Sequence, residues 1–168
     1  YATYADFTSI SNNMEISVKA DFDKGNINLG GLVGWSVYNN FSECSNQGNM
    51  SGTINSSSGV AVCYAGGIAG IMNTEYDVDP EVDMDLTELT DVEVRSTTND
   101  VLIHCINYGT VAGKKRNSGG IAGSEELGLI HTCENYGTVQ LESGNGLGGI
   151  AGYSASRVNQ SYALCKGR

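Results

Sequence analysis

The chain has 168 residues, of which 40% are hydrophobic and only 17% are charged, and its net charge is −10 at pH 7. An acidic chain without a basic stripe is a poor candidate for binding nucleic acid or an anionic membrane. The sequence has no apolar run of about 18 residues, so we expect no insertion into a membrane. It begins at Tyr1 without Met, and we expect it to be a mature or excised piece of a longer polypeptide.

Residues 1–29 precede the first copy of a repeated motif and differ from the rest of the chain. In 1–13, large apolar residues recur at helical spacing, at Tyr4, Phe7 and Ile10. This spacing favours a short helical or irregular segment. From Met14 to Phe22, apolar and polar residues alternate, which predicts a half-buried β-strand. Because a stack of repeats needs its open end covered, we expect 1–29 to form an N-terminal cap that includes the first strand.

A two-part motif recurs through 30–168, the segment in which we expect the repeats. Its first part is Gly-Gly, two apolar residues and Gly, and the copies begin at Gly30, Gly66, Gly119 and Gly148. Its second part is Cys-x-Asn-x-Gly, and the copies begin at Cys44, Cys105 and Cys133. The first part leads the second by 14 residues in two copies and by 39 in the copy between them, so a 25-residue insertion lies there, at about 73–98. Without the insertion the period is about 28 residues, which is within the range of solenoid proteins.

Equivalent positions of successive copies are expected to stack about 4.8 Å apart, as neighbouring strands do. Two apolar sets would fill the interior: Phe41, Leu102, Ile130 and Val158, and Met50, Val111 and Val139. Two further sets would form ladders of like side chains: Cys44, Cys105 and Cys133, and Asn46, Asn107 and Asn135. The predicted fold is therefore all-β, a right-handed parallel β-helix (β-solenoid) of about 4–5 coils with about 28 residues per coil, an N-terminal cap and one acidic insertion.

The residue types of the motif suit such a structure. Paired glycines allow positive φ and let neighbouring coils pass closely at a corner. Asparagine tolerates the left-handed region and forms local hydrogen bonds in turns, and stacked asparagines form amide ladders. Stacked cysteines lie near the Cα separation of a disulfide, but three of them leave one unpaired, and we interpret them as free buried thiols.

The motif resembles the GLUG-type repeat of bacterial surface proteins. In the last copy, Ser161-Tyr162-Ala163 is similar to the Ser-Tyr-Ala that such repeats often carry in place of Cys-x-Asn, whereas Cys165 departs from the glycine expected there. Such repeats occur in large secreted or wall-attached proteins, including adhesins and accessory regions of IgA-cleaving metallopeptidases. The resemblance implies a parallel β-solenoid on the cell exterior, and it brings no catalytic residues with it.

The acidic residues are concentrated in the insertion, where nine acids and one base lie between Glu75 and Arg95. Five carboxylates alternate with apolar residues, at Asp77, Asp79, Glu81, Asp83 and Asp85. In an extended strand they would point the same way and could hold Ca²⁺, which binds six to eight oxygens. The alternative is a solvated acidic edge that prevents pairing with other strands. Pro80 restricts such a strand to a sheet edge, and a helix from Pro80 to Leu89 is a further alternative.

Tyr108 and Tyr136 occupy the same repeat position, beside the ladder asparagines, and are expected to face outward together. An exposed aromatic ladder can stack against sugar rings, and it can equally stabilise a sheet by cross-strand pairing. His104 and His131 occupy different repeat positions, so we expect neither to form a nucleophile–base pair with the neighbouring cysteines.

We expect a non-catalytic structural and binding module of an extracellular bacterial surface protein. It would be adhesin-like, contact a glycan or protein on a host or neighbouring cell, and belong to a larger polypeptide or assembly. The first alternative is a polysaccharide-processing β-helix enzyme, which would need two carboxylates about 5–9.5 Å apart in a groove, whereas the acids here avoid the repeats. The second alternative is a passive spacer of a surface peptidase or fibre.

Overall fold

A computed structural model of the chain describes residues 1–56, 60–72, 100–126 and 128–155. These residues contain twenty-one β-strands and no helix. The strands form five sheets, each strand pairs with the strand five places earlier or later in the chain, and the pairs are parallel. The prediction of an all-β fold with parallel stacked strands is confirmed, and the arrangement is compatible with a parallel β-solenoid.

Sheet 1 contains β1 (Ala2–Thr3), β6 (Val33–Val37), β11 (Ala69–Met72), β16 (Ala122–Glu125) and β21 (Ala151–Ser154). Sheet 2 contains β2 (Asp6–Thr8), β7 (Asn40–Ser42), β12 (Asp100–Ile103) and β17 (Gly128–His131). Sheet 3 contains β3 (Ser11–Asn12), β8 (Ser45–Asn46), β13 (Ile106–Asn107) and β18 (Glu134–Asn135). Sheet 4 contains β4 (Ile16–Ala20), β9 (Met50–Ile54), β14 (Val111–Gly113) and β19 (Val139–Leu141). Sheet 5 contains β5 (Gly25–Gly30), β10 (Ala61–Gly66), β15 (Arg116–Gly119) and β20 (Gly144–Gly148).

We call five consecutive strands, one from each sheet, a layer. The first layer is β1–β5, and it is followed by β6–β10, β11–β15, β16–β20 and the strand β21. No helix in the described part of the chain is long and apolar enough to cross a membrane.

The helical interpretation of 1–13 is wrong, because this segment forms the strands β1, β2 and β3. Phe7 stacks on Phe41 of the next layer with ring centroids 4.6 Å apart and planes at 4°. The helix-like spacing has another cause: Tyr4 and Ser9 have positive φ, 51° and 55°, so tight turns separate strands of two or three residues. The predicted strand after Met14 is confirmed as β4, in which half-buried and exposed residues alternate.

Residues 1–29 thus supply almost all of the first layer, and β1–β5 form one edge of all five sheets. The division into a cap and a repeat region at residue 30 stays a prediction.

The register shows where the repeat is interrupted. Met72 pairs with Glu125 and Asp100 pairs with Gly128. Met72 and Asp100 are 28 residues apart in the chain, whereas their partners Glu125 and Gly128 are three apart. The segment between Met72 and Asp100 therefore contains 25 extra residues. In sheets 3 and 4 the step between the third and fourth layers is 28 residues, as in the pair of Val111 with Val139. The predicted carboxylate set at Asp77, Asp79, Glu81, Asp83 and Asp85 lies outside the described residues.

Two apolar clusters fill the interior along the stack. The register confirms both predicted apolar sets, in which Phe41, Leu102 and Ile130 pair in sheet 2, and Met50, Val111 and Val139 pair in sheet 4. The remaining predicted member, Val158, lies outside the described residues. Side chains in the middle layers are almost completely enclosed, and each fully buried one contributes about 1.5–3 kcal/mol of transfer free energy.

Candidate functional site

The ladder asparagines form one continuous chain of amide hydrogen bonds in sheet 3. Asn46 Nδ2 donates to Asn107 Oδ1, and Asn107 Nδ2 donates to Asn135 Oδ1, each at 2.8 Å. Asn12 extends the ladder by one member, because its Nδ2 donates to Asn46 Oδ1 at 2.8 Å. Sequence reasoning missed Asn12 because it stands 34 residues before Asn46 and has no cysteine motif around it.

Each ladder amide also closes a turn of its own chain. The second hydrogen of Asn46 Nδ2 is donated to Gly48 O at 2.8 Å, and that of Asn107 Nδ2 to Gly109 O at 2.8 Å. Both side-chain N–H groups of Asn46 and of Asn107 are therefore taken by the scaffold and cannot be donated to a ligand.

The ladder explains why the two parts of the motif occur together. A Cβ at Gly67 would lie 2.5 Å from Asn107 Cγ and would also overlap the carbonyl oxygen of Gly120. A Cβ at the equivalent Gly31 would overlap the side chain of Asn46, and one at Gly120 would overlap that of Asn135. The second glycine of each Gly-Gly pair thus makes room for the carboxamide that the second part of the motif supplies.

The prediction that the motif glycines supply positive φ is wrong. Among the described glycines only Gly25 and Gly144 have positive φ, and neither begins or ends a copy of the motif. The ladder asparagines are not left-handed either. Instead the left-handed residue is the one before each motif cysteine: Glu43, His104 and Thr132, at φ of 56°, 54° and 50°.

The three motif cysteines are buried free thiols. Each sulfur lies within hydrogen-bond distance of a carbonyl oxygen of the preceding layer. The distances are 3.3 Å from Cys44 Sγ to Phe7 O, 3.7 Å from Cys105 Sγ to Phe41 O, and 3.4 Å from Cys133 Sγ to Leu102 O. Burial raises the pKa of Cys44, and hydrogen bonding with Cys133 together with burial raises the pKa of Cys105. The hydrogen bond with Cys105 lowers the pKa of Cys133, but all three sulfurs are buried, whereas a nucleophilic cysteine is an accessible thiolate.

His104 and His131 are both exposed, and the structure does not bring them together with a thiol. His104 lies in a turn and its Nδ1 is 2.9 Å from Thr132 Oγ1. His131 is the last residue of β17. The motif cysteines beside them point into the core, so the described histidines form no nucleophile–base pair with them.

Tyr108 and Tyr136 form an exposed stack on the outside of the molecule. Their ring centroids are 5.5 Å apart with planes at 12°, and the side chains are 50% and 52% exposed. The Tyr136 hydroxyl donates to Glu134 Oε2, and this bond raises the pKa of Tyr136. Because the two rings cover one face of each other, only one face of each remains for another molecule.

An open groove of about 410 Å³ lies on the outer side of sheet 4. Small residues form part of its lining, among them Ser51 and Ala112. Its one carboxylate, Glu142, pairs with Lys114 at 2.7 Å. The groove therefore lacks the two carboxylates that glycoside hydrolysis requires.

A buried polar network lies at the corner between sheets 1 and 2, beside the point where the insertion ends. Asp100 is 1% exposed, and its Oδ1 accepts hydrogen bonds from Ser36 Oγ at 2.6 Å and from the backbone N–H of Asn39 at 2.8 Å. Asn39 Nδ2 in turn donates to Ser36 Oγ and to Ala2 O, both at 2.8 Å. Burial raises the pKa of Asp100 from 3.8 to about 6, and the Ser36 hydrogen bond opposes this shift.

The raised pKa of Asp100 predicts that stability falls as pH rises. The folded state keeps a proton that the unfolded state has lost, so the stabilisation present below pH 3.8 disappears by about pH 6, a loss of about 3 kcal/mol. Asp100→Asn keeps an acceptor for Ser36 and Asn39 but does not titrate. We expect the variant to match the wild type near pH 4 and to be more stable at pH 7, as measured by urea unfolding. A difference that stays constant with pH would contradict the assignment.

Glu125 is a second buried carboxyl group, 2% exposed, and it is the last residue of β16 in sheet 1. Its Oε2 accepts a hydrogen bond from Ser154 Oγ at 2.7 Å, whereas Oε1 has no hydrogen-bond partner among the described residues. Burial raises the pKa of Glu125. Sequence reasoning singled out neither buried acid, because neither belongs to the repeated motif.

Within the described residues no group of three or more His, Cys, Asp or Glu side chains is arranged to hold a metal ion. The proposed Ca²⁺ ligands lie outside that part of the chain. A comparison of the sequence with protein families, curated proteins and solved structures finds no match.

Proposed function

We propose that the chain is a non-catalytic structural and binding module of an extracellular bacterial surface protein, adhesin-like and similar to GLUG-repeat regions. In this proposal it is a right-handed β-solenoid of about 4–5 coils with about 28 residues per coil. Its outer faces and acidic insertion contact a glycan or a protein partner. The observation that carries the proposal is the use of the motif's reactive residue types, Cys and Asn, as interior ladders.

The placement of the acidic residues favours this proposal over an enzyme. Asp100 and Glu125 are enclosed, and Glu142 in the sheet 4 groove is paired with Lys114. A polysaccharide-processing enzyme needs one carboxyl group as acid and a second as base or nucleophile, both facing the substrate. Among the described residues these three acids do not meet that requirement.

The stacked tyrosines favour a binding role over a passive spacer. Tyr136 presents one ring face and a hydroxyl held by Glu134, so apolar surface and hydrogen-bonding groups lie side by side. Sugar rings offer the matching combination of C–H faces and hydroxyls, and aromatic side chains combine a polar tip with an apolar body. We therefore place the glycan contact at Tyr108 and Tyr136.

The purified chain is expected to capture a subset of glycans on an array, and Tyr136→Ala should weaken that capture at least about tenfold, equivalent to about 1.4 kcal/mol. Tyr108→Ala should act in the same direction. Val60→Ala, at a side chain that is 59% exposed elsewhere, is the matched control and should leave capture unchanged. Capture that survives both tyrosine substitutions would disprove the tyrosine contact. Cleavage of a polysaccharide would favour the enzyme hypothesis, and a lack of binding to every glycan on the array would favour the spacer hypothesis.

A further inference from the structure

The basic side chains of the described residues all lie on one side of the molecule. They belong to sheets 4 and 5 or to the turns beside these sheets: Lys19, Lys24, Lys114, Lys115 and Arg116. Four acids share that side: Glu15, Asp21, Asp23 and Glu142. The described parts of sheets 1, 2 and 3 and their turns contain acids and no Lys or Arg: Asp6, Glu43, Asp100, Glu125, Glu126 and Glu134. An anionic ligand is therefore attracted to the side of sheets 4 and 5 and repelled from the opposite side.

Two lysines flank a hydroxyl group beside the open groove on the outer side of sheet 4. Lys19 pairs in register with Thr53 of the next layer. The register of the following strands places Lys114 on the other side of Thr53, and Glu142 beyond Lys114. Neighbouring strands are about 4.8 Å apart, so the backbones of the two lysines are separated by about 10 Å. A carboxylate that accepts a hydrogen bond from the Thr53 hydroxyl would lie between two ammonium groups.

The neighbouring stacked position on the same face carries small and polar side chains. Its members in successive layers are Ser17, Ser51, Ala112 and Gln140. Ser51, Ala112 and Gln140 line the groove. The two short side chains leave space above the sheet, and the hydroxyl and amide groups both donate and accept hydrogen bonds. Sugar hydroxyls need partners of this kind, so the groove offers sites for hydroxyls next to the site for a carboxylate.

The groove is also close in the chain to the stacked tyrosines at which we place the glycan contact. Ala112 follows Tyr108 by four residues, and Gln140 follows Tyr136 by the same number. Four residues of extended chain span at most about 13 Å. Both tyrosines and the groove lie on the outside of the molecule. A polysaccharide that rests on the tyrosines can therefore continue along the strands of sheet 4 into the groove.

We propose that the sheet 4 groove binds a polysaccharide whose sugars carry carboxylates, one of which lies between Lys19 and Lys114 beside the Thr53 hydroxyl. The inference rests on the proposed glycan-binding role and names the class of glycan. In the free protein Lys114 pairs with Glu142 at 2.7 Å. Glu142 is 65% exposed, and an exposed ion pair contributes little free energy, so a carboxylate of the ligand can displace it.

Oligogalacturonate and its methyl ester test the proposal, because they share one sugar chain and differ in charge. Calorimetry at low salt is expected to show that the wild-type chain binds the acid at least about tenfold more tightly than the ester, and high salt should reduce this preference. Lys19→Gln with Lys114→Gln should abolish the preference. Glu142→Gln should strengthen binding of the acid about two- to fivefold, because it removes the competing carboxylate.

The matched control is Lys24→Gln with Arg116→Gln, which removes the same charge from the same side of the molecule. Neither residue lines the groove, so this variant should keep the preference for the acid. Lys19→Gln alone, at an exposed position, should weaken the preference in part, and it serves if the double groove variant fails to fold by circular dichroism.

Four results would overturn the inference, and they differ in what they say about the proposed function. Equal binding of the acid and the ester would refute the carboxylate site and leave glycan binding intact. A lack of binding to both probes and to every glycan on the array would refute glycan binding as well. An equal loss of preference in the control would show that overall charge, rather than the groove, selects the acid. Binding of poly-glutamate without binding of oligogalacturonate would indicate an acidic protein partner instead of a sugar.

Discussion

Gly67→Ala is expected to destabilise the fold by more than about 4 kcal/mol, which few single substitutions do. The added methyl group would overlap the carboxamide of Asn107 and the carbonyl oxygen of Gly120 in the next layer. Neither obstacle can move freely, because Asn107 is held by the amide ladder and the oxygen belongs to the stacked backbone. Urea unfolding followed by circular dichroism measures the loss, and the substitution is severe enough that the chain is expected to be unfolded or molten at 37 °C.

Gly25→Ala is the matched control for this prediction. Gly25 has a φ of +124°, and a Cβ there would lie 3.5 Å from the Phe22 ring, which is ordinary contact. Its cost should therefore be backbone strain alone, about 1–3 kcal/mol. Equal losses for the two substitutions would mean that close packing between layers is not what demands glycine at Gly67.

The parts of the fold that sequence analysis predicted correctly are those in which one residue type is repeated. Phe41, Leu102 and Ile130 pair in register because a period of about 28 residues places them on successive strands. Asn46, Asn107 and Asn135 meet for the same reason. Periodicity carries this information without any knowledge of contacts.

The parts that sequence analysis missed are those where the repeat changes. Asn12 and Asn46 are stacked neighbours but lie 34 residues apart in the chain, so the first layer departs from the period of about 28. Its short strands also place apolar residues at helix-like spacing. The reason for glycine was also wrong, because a sequence shows that a side chain is absent but not which neighbour requires its absence. For Gly67 that neighbour is 40 residues away in the chain.

The buried acids were missed because their partners are distant in sequence. Asp100 bonds to Ser36 and Asn39, which are 64 and 61 residues earlier. Its one signal is positional: Asp100 begins β12 at the position that Asn39 holds just before β7, and both are polar residues at a corner. Aligning the residues that occupy this corner in successive layers, rather than the motif alone, would have identified the network.

Asn107→Ala is expected to cost about 3–5 kcal/mol, because it removes three hydrogen bonds at a fully buried site. Asn107 is 0% exposed, and its loss would leave Asn46 Nδ2, Asn135 Oδ1 and Gly109 O without their ladder partner. Water has little access to replace that partner. Thermal and urea unfolding at neutral pH measure the effect.

Asn107→Asp tests the direction of the ladder, since it keeps the volume and the acceptor but replaces the donor. A carboxylate oxygen would then face Asn135 Oδ1 and Gly109 O, both of which now accept from Nδ2. We expect a loss at least as large as that of Asn107→Ala at pH 7 and a smaller one near pH 4, because a protonated acid can donate one hydrogen bond.

Asn12→Ala is the comparison at the end of the ladder. Asn12 is half-buried and donates onward to Asn46, but the N-terminal layer is open to solvent on its other side. Its loss should cost about 1 kcal/mol, the net contribution of an ordinary hydrogen bond. If Asn12→Ala and Asn107→Ala are equally costly, burial is not what gives the ladder its strength, and the first layer is covered in solution. If Asn107→Ala alone is costly, burial gives the ladder its strength, and the ladder stabilises the stack from within.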